Sequence, residues 1–387
     1  MVEENFVREI REGCKTDMDN IAVDLLWLRP GKVGGTEFYI RNLLDGFVQL
    51  DRPFKLTLLV SKDNRETFEH YTKDARITLL EADVVSANIA GRILWQFFCQ
   101  NRLLRKNGLR QCFIPVYCRP LTNGGVTYIN TIHDLQAAHY PEYHPFHEIA
   151  YSKLCWWIDA RFSKKIIATT NYVKSDLIKR YKIKKDKIEV LNIPAMVNLN
   201  ETEPFENVSR KFNISDGGYY YTVAQMIPHK NLETLIRVMI ELRKRKSSLP
   251  LRLLVSGISG NATDSVKNLI KENQLEDIVT LTGFISNEER NTLYKHCKAF
   301  LFPSIFEGFG MPPVEAMAFD AVVITTDRTS IPEVTQGKAN YVDDPFDTDA
   351  WIRVMESPVK RNDEFDFDIY SRAYLAEKYM DFLQENL

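Results

Sequence analysis

Between Asp83 and Asp134 this chain has no Asp or Glu, although its net charge over 387 residues is only −2. The near-neutral total gives no reason to expect nucleic-acid binding. Cysteine is sparse: Cys14, Cys99, Cys112, Cys118, Cys155 and Cys297 are scattered, with no pair at C-x-x-C spacing. That argues against a disulfide framework and a thiolate zinc site, and for a reducing compartment. The amino terminus, Met1-Val2-Glu3-Glu4-Asn5, is acidic and no long apolar run follows it, so neither a signal peptide nor a spanning helix is expected and the location expected is cytoplasmic. No G-x-G-x-x-G occurs, which removes the usual nicotinamide-binding fingerprint.

What remains is the composition of an ordinary globular protein, 44% hydrophobic and 26% charged, at a length that suggests two domains. Short β-branched runs alternate with longer amphipathic ones, the pattern of βα units and parallel sheets. Strands are expected near Ile21–Leu28, Lys55–Val60, Arg76–Leu80, Gln111–Val116, Val126–Ile132, Lys165–Thr169 and Ile188–Leu191. The rhythm restarts with Tyr219–Val223, Leu251–Ser256, Val279–Thr282, Ala299–Pro303 and Val322–Thr326. Pro194 to Val208 lacks a period and reads as the linker, and Ile369 to Leu387 has helical spacing. The fold class expected is α/β: two doubly wound Rossmann-like domains facing a cleft, closed by a C-terminal helix. Domain boundaries follow at 1–196, 209–365 and 366–387, the last helix packing back on the first domain.

Glu307-Gly308-Phe309-Gly310-Met311-Pro312-Pro313-Val314-Glu315 is the densest candidate site. An apolar strand leads into it, two glycines permit a tight turn, and the prolines suit a helix start. Unpaired N–H groups and the helix dipole at such a place attract a phosphate. A carboxylate beside a phosphate would repel it, so Glu307 and Glu315 are better read as acceptors from neutral hydroxyls. A ligand with hydroxyls on both sides of a phosphate is a nucleotide sugar. Dipole complementation by Glu315 and a solvated Glu307 are the bland alternatives.

Other candidates sit at strand ends. Gly34-Gly35, after the first strand, would let backbone approach a ligand, with Thr36 as N-cap. His133-Asp134 ends a strand toward the cleft, and is weighed against a buried structural His. Lys230, after Gln225 and His229, would add a positive charge beside the Gly-rich turn; alone it would be an ordinary surface lysine. His139, His144 and His147 suit no common zinc spacing, and Asp347-Thr348-Asp349 and Asp366-Phe367-Asp368 read as helix caps, so no metal is expected. The acid-free stretch holds Arg92, Arg102, Arg105, Lys106, Arg110 and Arg119 among Trp95, Phe97, Phe98, Phe113 and Tyr117. It suits an anionic acceptor or an anionic membrane surface, or else a core helix (Trp95, Phe98) with a solvated basic side.

On these residues the chain resembles glycosyltransferase family 4, retaining enzymes of the GT-B fold. The match runs from Gly34-Gly35-Thr36-Glu37 through His133-Asp134, Lys230-Asn231, Gly283-Phe284, Pro303-Ser304 to Glu315-Ala316, and Ile331-Pro332-Glu333-Val334. The resemblance implies that Glu307 and the Gly308–Gly310 backbone, Phe309 included, hold the donor sugar. Met311 and Pro312 then lie by the diphosphate, Glu315 binds the ribose, Lys230 neutralises the leaving group, Gly283 to Ile285 run along the base, and His133 lies near the anomeric carbon. It implies a nucleotide-sugar donor without metal or other cofactor. Two departures are Gln225, where the family often has Arg, with Arg29 or Lys32 as compensation, and Asp320-Ala321-Val322. Likeness to surface-polysaccharide mannosyltransferases favours GDP-mannose, with UDP-hexose or dTDP-rhamnose as alternatives, and a saccharide or lipid-linked acceptor. An epimerase of the same architecture and a non-catalytic sugar-nucleotide-binding scaffold are the competing classes.

Overall fold

The computed structural model describes residues 20–31, 34–195, 197–360 and 364–387. Cys14, the acidic amino terminus and Lys32 lie outside the described residues. Seven parallel strands form the first sheet: β1 Asn20–Asp24, β2 Lys55–Val60, β3 Ile77–Glu81, β4 Gln111–Ile114, β5 Thr127–Ile132, β6 Lys165–Ala168 and β7 Ile188–Val190, in the order β3-β2-β1-β4-β5-β6-β7. Six form the second: β8 Tyr220–Val223, β9 Leu253–Ser256, β10 Val279–Gly283, β11 Ala299–Phe302, β12 Val323–Thr326 and β13 Asn340–Val342, in the order β10-β9-β8-β11-β12-β13. Each order reverses once, between β1 and β4 and between β8 and β11. Ligand crevices of open α/β sheets open at such reversals, beyond the strands' carboxyl ends.

Both sheets are buried on two faces, and alternation along the strands divides the cores. Ile21 and Val23 face one cluster and Ala22 another. Ala299 and Leu301 face one side of β11 while Phe300 and Phe302 face the other. The final helix, Arg372–Asn386, places Leu375, Ala376, Tyr379, Met380 and Leu383 in the core of the first sheet. It lies so close to the helix Gly35–Gln49 that a Cβ on Gly46 would sit 2.7 Å from the Ala376 Cβ. A bridge between Ala195 and Ser371, with the Ala195 N–H donating to the Tyr370 carbonyl at 2.8 Å, joins the two segments that cross between the sheets.

Several expectations are corrected. The first strand stops at Asp24 rather than Leu28. Its carboxylate accepts the Leu26 N–H at 3.0 Å and its carbonyl accepts the Trp27 indole N–H at 2.9 Å, which turns the chain. The aperiodic linker contains the start of a helix, Phe205–Phe212, anchored by only two buried residues, Val208 and Phe212. The acid-free stretch contains two helices, Ile89–Phe98 and Gln100–Lys106. Within the first of them Phe98 is 69% exposed, against the core-helix reading, while Arg92 is buried, against both readings, and reaches the Gln96 amide oxygen at 2.7 Å. Arg119 is also buried, its guanidinium 4.5 Å from the Tyr128 ring centre. Neither arginine belongs to a solvated basic face.

Candidate functional site

The loop after β11 is fixed by hydroxyl groups before any ligand arrives. Ser304 donates to the His229 and Phe306 carbonyls, both at 3.2 Å, and Ser330 donates to the carbonyls of Glu307 at 3.0 Å and Phe309 at 2.8 Å. The Glu307 N–H donates to Thr329 Oγ1 at 3.0 Å, and Thr329 itself holds φ 53°. A β-branched residue in that left-handed region is strained, a cost that surrounding contacts must impose. Gly310 then takes φ 96° and caps the helix Met311–Ala318. Met311 is the first helical residue, so Pro312 and Pro313 remove two of the N–H groups expected to face an anion. The backbone donors of this turn come from Gly310 and Met311. The Phe309 side chain packs into a small core, edge-on to Tyr370 at 5.6 Å, so only its backbone is left for a donor.

Lys230 ends a single helical turn, Pro228–Lys230, after β8. Asn231 behind it adopts φ 52° and donates to the carbonyls of Pro303 at 3.3 Å and Pro345 at 2.9 Å, fastening this turn to the β11 loop. The result brings Lys230 Nζ to 2.5 Å from Glu307 Oε1. Two residues expected to hold different parts of a ligand are thus paired with each other. Glu315 accepts the Tyr294 hydroxyl at 3.0 Å and lies 3.8 Å from the Arg290 guanidinium. Arg290 and Tyr294 were not foreseen. They are four apart on the helix Asn287–His296, and nothing in their local sequence distinguishes them from a surface cation and a core aromatic.

His133 lies one residue beyond β5. Its Nε2 faces the Pro115 carbonyl at 2.8 Å; a carbonyl only accepts, so Nε2 carries the hydrogen and Nδ1 keeps a lone pair. Burial lowers its pKa to about 4, so the ring is neutral. Burial pushes the Asp134 carboxyl up, opposed by the Gln136 N–H at 2.8 Å and reinforced by the Glu307 charge. His229 is also held down to about 4, by burial and the Lys230 cation, and meets the Gln136 amide from the other domain.

The β5 and β11 ends touch. Thr170 donates to the Gly308 carbonyl at 3.0 Å, the Thr169 hydroxyl lies 3.2 Å from the same oxygen, and a Cβ on Gly308 would lie 2.0 Å from the His133 carbonyl oxygen. Only glycine permits that approach. Glu333 accepts the N–H groups of Asn171 at 2.7 Å and Tyr172 at 3.1 Å, so a carboxylate of one domain caps the helix Asn171–Tyr181 of the other. Phe306 inserts between His139, Tyr140 and Tyr172, at ring separations of 5.0, 5.7 and 6.2 Å.

The remaining candidates are more peripheral. Gly34 caps its helix at φ 62° in place of the expected Thr36, and Cβ atoms on Gly34 or Gly35 would meet nothing within 4 Å. Gln225 is exposed and reaches only the Ser259 carbonyl, at 3.4 Å. Gly283 ends β10 at φ 70° and Phe284 is 82% exposed. Asp347 caps the helix Thr348–Glu356 through the Asp349 N–H at 2.8 Å, and Asp366 accepts the Asp368 N–H at 3.0 Å.

Two family models divide the chain between them: one described as Glycosyltransferase Family 4 matches residues 33–195, and one described as Glycosyl transferases group 1 matches residues 204–374. The O-antigen chain mannosyltransferase B of Escherichia coli is 28% identical over 224 residues, 57% of this chain and 58% of its own length. RfbU, an O-antigen chain mannosyltransferase of Salmonella typhimurium, is 28% identical over 227 residues, 59% of each. The chain therefore aligns with less than two thirds of these curated relatives. A sucrose-phosphate synthase from Thermosynechococcus elongatus shares the fold, with TM-score 0.72 at 16% identity over 95% of this chain and 98% of that one. With one model on each Rossmann-like half, the chain belongs to the family 4-like glycosyltransferases of GT-B fold.

Proposed function

We propose that this chain transfers mannose from GDP-mannose, with retention, to a saccharide or lipid-linked acceptor in surface-glycan synthesis. The observation that carries the proposal is the Lys230–Glu307 pair, 2.5 Å apart at the first residue of the Gly-rich turn and with both charges felt by Asp134. Arrival of the donor diphosphate would draw Lys230 to the leaving group and free Glu307 to accept from sugar hydroxyls. Gly310 and Met311 N–H groups would add to the countercharge, in a reaction proposed to need no metal. Glu315, held by Tyr294 and Arg290, would receive the ribose hydroxyls, and the base would lie along Gly283 and Phe284. The bond from the anomeric carbon to the diphosphate oxygen breaks as the acceptor oxygen bonds to the same face. The acceptor's proton passes to the departing phosphate oxygen. The mannosyl donor is favoured by what the two named relatives are called; UDP-hexose and dTDP-rhamnose are the alternatives.

The test is thermal stabilisation by GDP, UDP and dTDP and their sugars, with chelator, on wild type and Glu315→Ala, followed by the anomeric configuration of the product. A ligand at a hundred times its dissociation constant stabilises by about 2.7 kcal/mol. GDP compounds should shift wild type and not the variant. Stabilisation by none of them favours the non-catalytic scaffold, and an inverted product removes the retaining mechanism.

The same proposal puts an anionic membrane under the first domain. No helix among the described residues is long and apolar enough to cross a bilayer. Leu94, Phe98, Phe146 and Trp157 are nevertheless 58, 69, 83 and 54% exposed, on two helices that meet through Arg92, Cys118 and Tyr151. Exposed Arg102, Arg105, Lys106 and Arg110 adjoin them, each able to contribute about 1 kcal/mol on an anionic surface. Vesicles rich in phosphatidylglycerol should sediment the protein and pure phosphatidylcholine should not; equal behaviour removes the membrane from the proposal.

A further inference from the structure

The contacts that hold His133 lead out of the cleft to the last helix of the chain. Tyr39, on the helix Gly35–Gln49, places its ring edge-on to His133, with centres 4.9 Å apart at 81°. Its hydroxyl lies 3.1 Å from Thr131 Oγ1 and 3.2 Å from the Tyr379 hydroxyl. Thr131 and His133 are two apart along one extended segment, so Tyr39 grips the same face twice, once by its hydroxyl and once by its ring. Tyr379 in turn lies 3.1 and 3.2 Å from the carbonyls of Leu191 and Asn192.

The direction of this chain is fixed by what each group can do. Carbonyls only accept, so Tyr379 gives them its single hydroxyl hydrogen and must accept from Tyr39. Tyr39 has then used its own hydrogen, and Thr131 must donate to Tyr39. A second arm starts from the same place: Asn192 donates to the Thr169 carbonyl at 2.8 Å, and the Thr169 hydroxyl donates to the His133 carbonyl at 3.0 Å. Leu191 and Asn192 immediately precede Ala195, where the chain crosses between the sheets and meets the returning segment at Tyr370 and Ser371. The crossing segment therefore holds both the ring and the backbone of His133.

We propose that Tyr379 is a positioning residue for His133, acting through Tyr39, and that it ties the imidazole to the segment that crosses between the two sheets. Buried and fully hydrogen-bonded, Tyr379 also serves the core. What a core role does not account for is that its one hydrogen-bond donor neighbour is the residue packed on His133. The consequence for transfer rests on the reading above that His133 lies at the reacting centre; the coupling itself does not.

The experiment compares Tyr379→Phe and Tyr39→Phe with Tyr374→Phe, an exposed tyrosine of the same helix. Steady-state kinetics are combined with nitrogen-15 NMR of the histidine rings, the His133 signals being assigned by their loss in His133→Gln. In Tyr379→Phe, kcat should fall on the order of tenfold while donor KM stays near wild type. The His133 ring should move from a fixed Nε2–H form to an average of both tautomers. Tyr39→Phe should do the same and Tyr374→Phe neither. An unmoved ring signal in Tyr379→Phe overturns the proposal, whatever happens to kcat. A moved signal with His133→Gln still fully active supports the positioning and overturns instead the placement of His133 at the reacting centre.

Discussion

The two halves build their shares of the site in different ways. In the second half, five of the candidate ligand positions, Glu307, Gly308, Gly310, Met311 and Glu315, come from one run of nine residues, fixed by neighbouring hydroxyls of Ser304, Thr329 and Ser330. In the first half, His133 is held by Pro115, Tyr39 and Thr169, separated by up to 130 positions in the chain. The first arrangement has the strand, turn and helix start from which an anion site would be built, and needs little beyond local geometry. The second makes a neutral, oriented imidazole, which only burial among distant elements can supply. Local geometry shapes the turn, and assembled contacts orient the ring.

The largest expected effect tests whether Lys230 and Glu307 act as one unit. Glu307→Gln and Lys230→Met should each lower kcat/KM by about 10²–10³, the scale of losing one charge-stabilising group. Because each variant leaves the other group unpaired, the double variant should be little worse than either single. Steady-state rates on the four proteins complete the cycle. Additive losses would mean that the 2.5 Å pair is incidental to transfer.

The same contrast explains what could be read from the sequence. Both doubly wound sheets follow from strand periodicity, and the Gly-rich turn was legible because its parts are adjacent. Lys230 was read as lying beside the Gly-rich turn with a diphosphate as its partner, since nothing local says that residue 230 pairs with residue 307. Arg290 and Tyr294 were not identified, because their meaning depends on facing Glu315 across a helix–helix contact. Arg92 was misplaced for a related reason. Periodicity finds the two sides of a helix, but here the buried side meets a polar cluster, with Gln96 and Gln100 donating to Asp24 at 3.0 and 2.8 Å. An apolar–polar pattern then assigns the wrong side to the core.

A pair of glycines sharpens the comparison at the next scale. Gly308→Ala must displace the His133 carbonyl, 2.0 Å from the new carbon, and overpacking of that kind costs about 1–3 kcal/mol. It should lower the melting temperature and open the domains, seen as a larger radius of gyration in solution scattering. Gly35→Ala meets nothing within 4 Å among the described residues at the first position of its helix, and should be neutral or stabilising by about 0.4–1 kcal/mol. A loss of activity in Gly35→Ala without loss of stability would therefore report close approach of a ligand. Equal stability of the two variants would contradict the contact between the β5 and β11 ends.

A pH-dependent effect lies in the first domain, away from the site. Asp159 is buried on the helix Phe146–Phe162, and neither of its carboxylate oxygens has a hydrogen-bond partner among the described residues. Burial raises its pKa to about 8, against the partial relief of the Arg119 and Lys187 charges. In the unfolded chain an Asp ionises near pH 3.9. Between about pH 4 and 8 the unfolded state has therefore lost a proton that the folded state keeps, and stability falls as pH rises through that window. Asp159→Asn has no such proton, so its stability relative to wild type should grow from pH 5 to pH 8, by on the order of 1 kcal/mol per unit at most. His133 and His229, both lowered to about 4, act oppositely: below pH 6.5 the unfolded state gains protons that the folded state refuses, and stability falls toward pH 4. That loss is common to both proteins and cancels in the difference, which isolates the carboxyl. Urea unfolding at the two pH values measures it. Parallel curves would show that Asp159 is ionised in the folded state and paired with Arg119, making it a buried ion pair rather than a protonated acid.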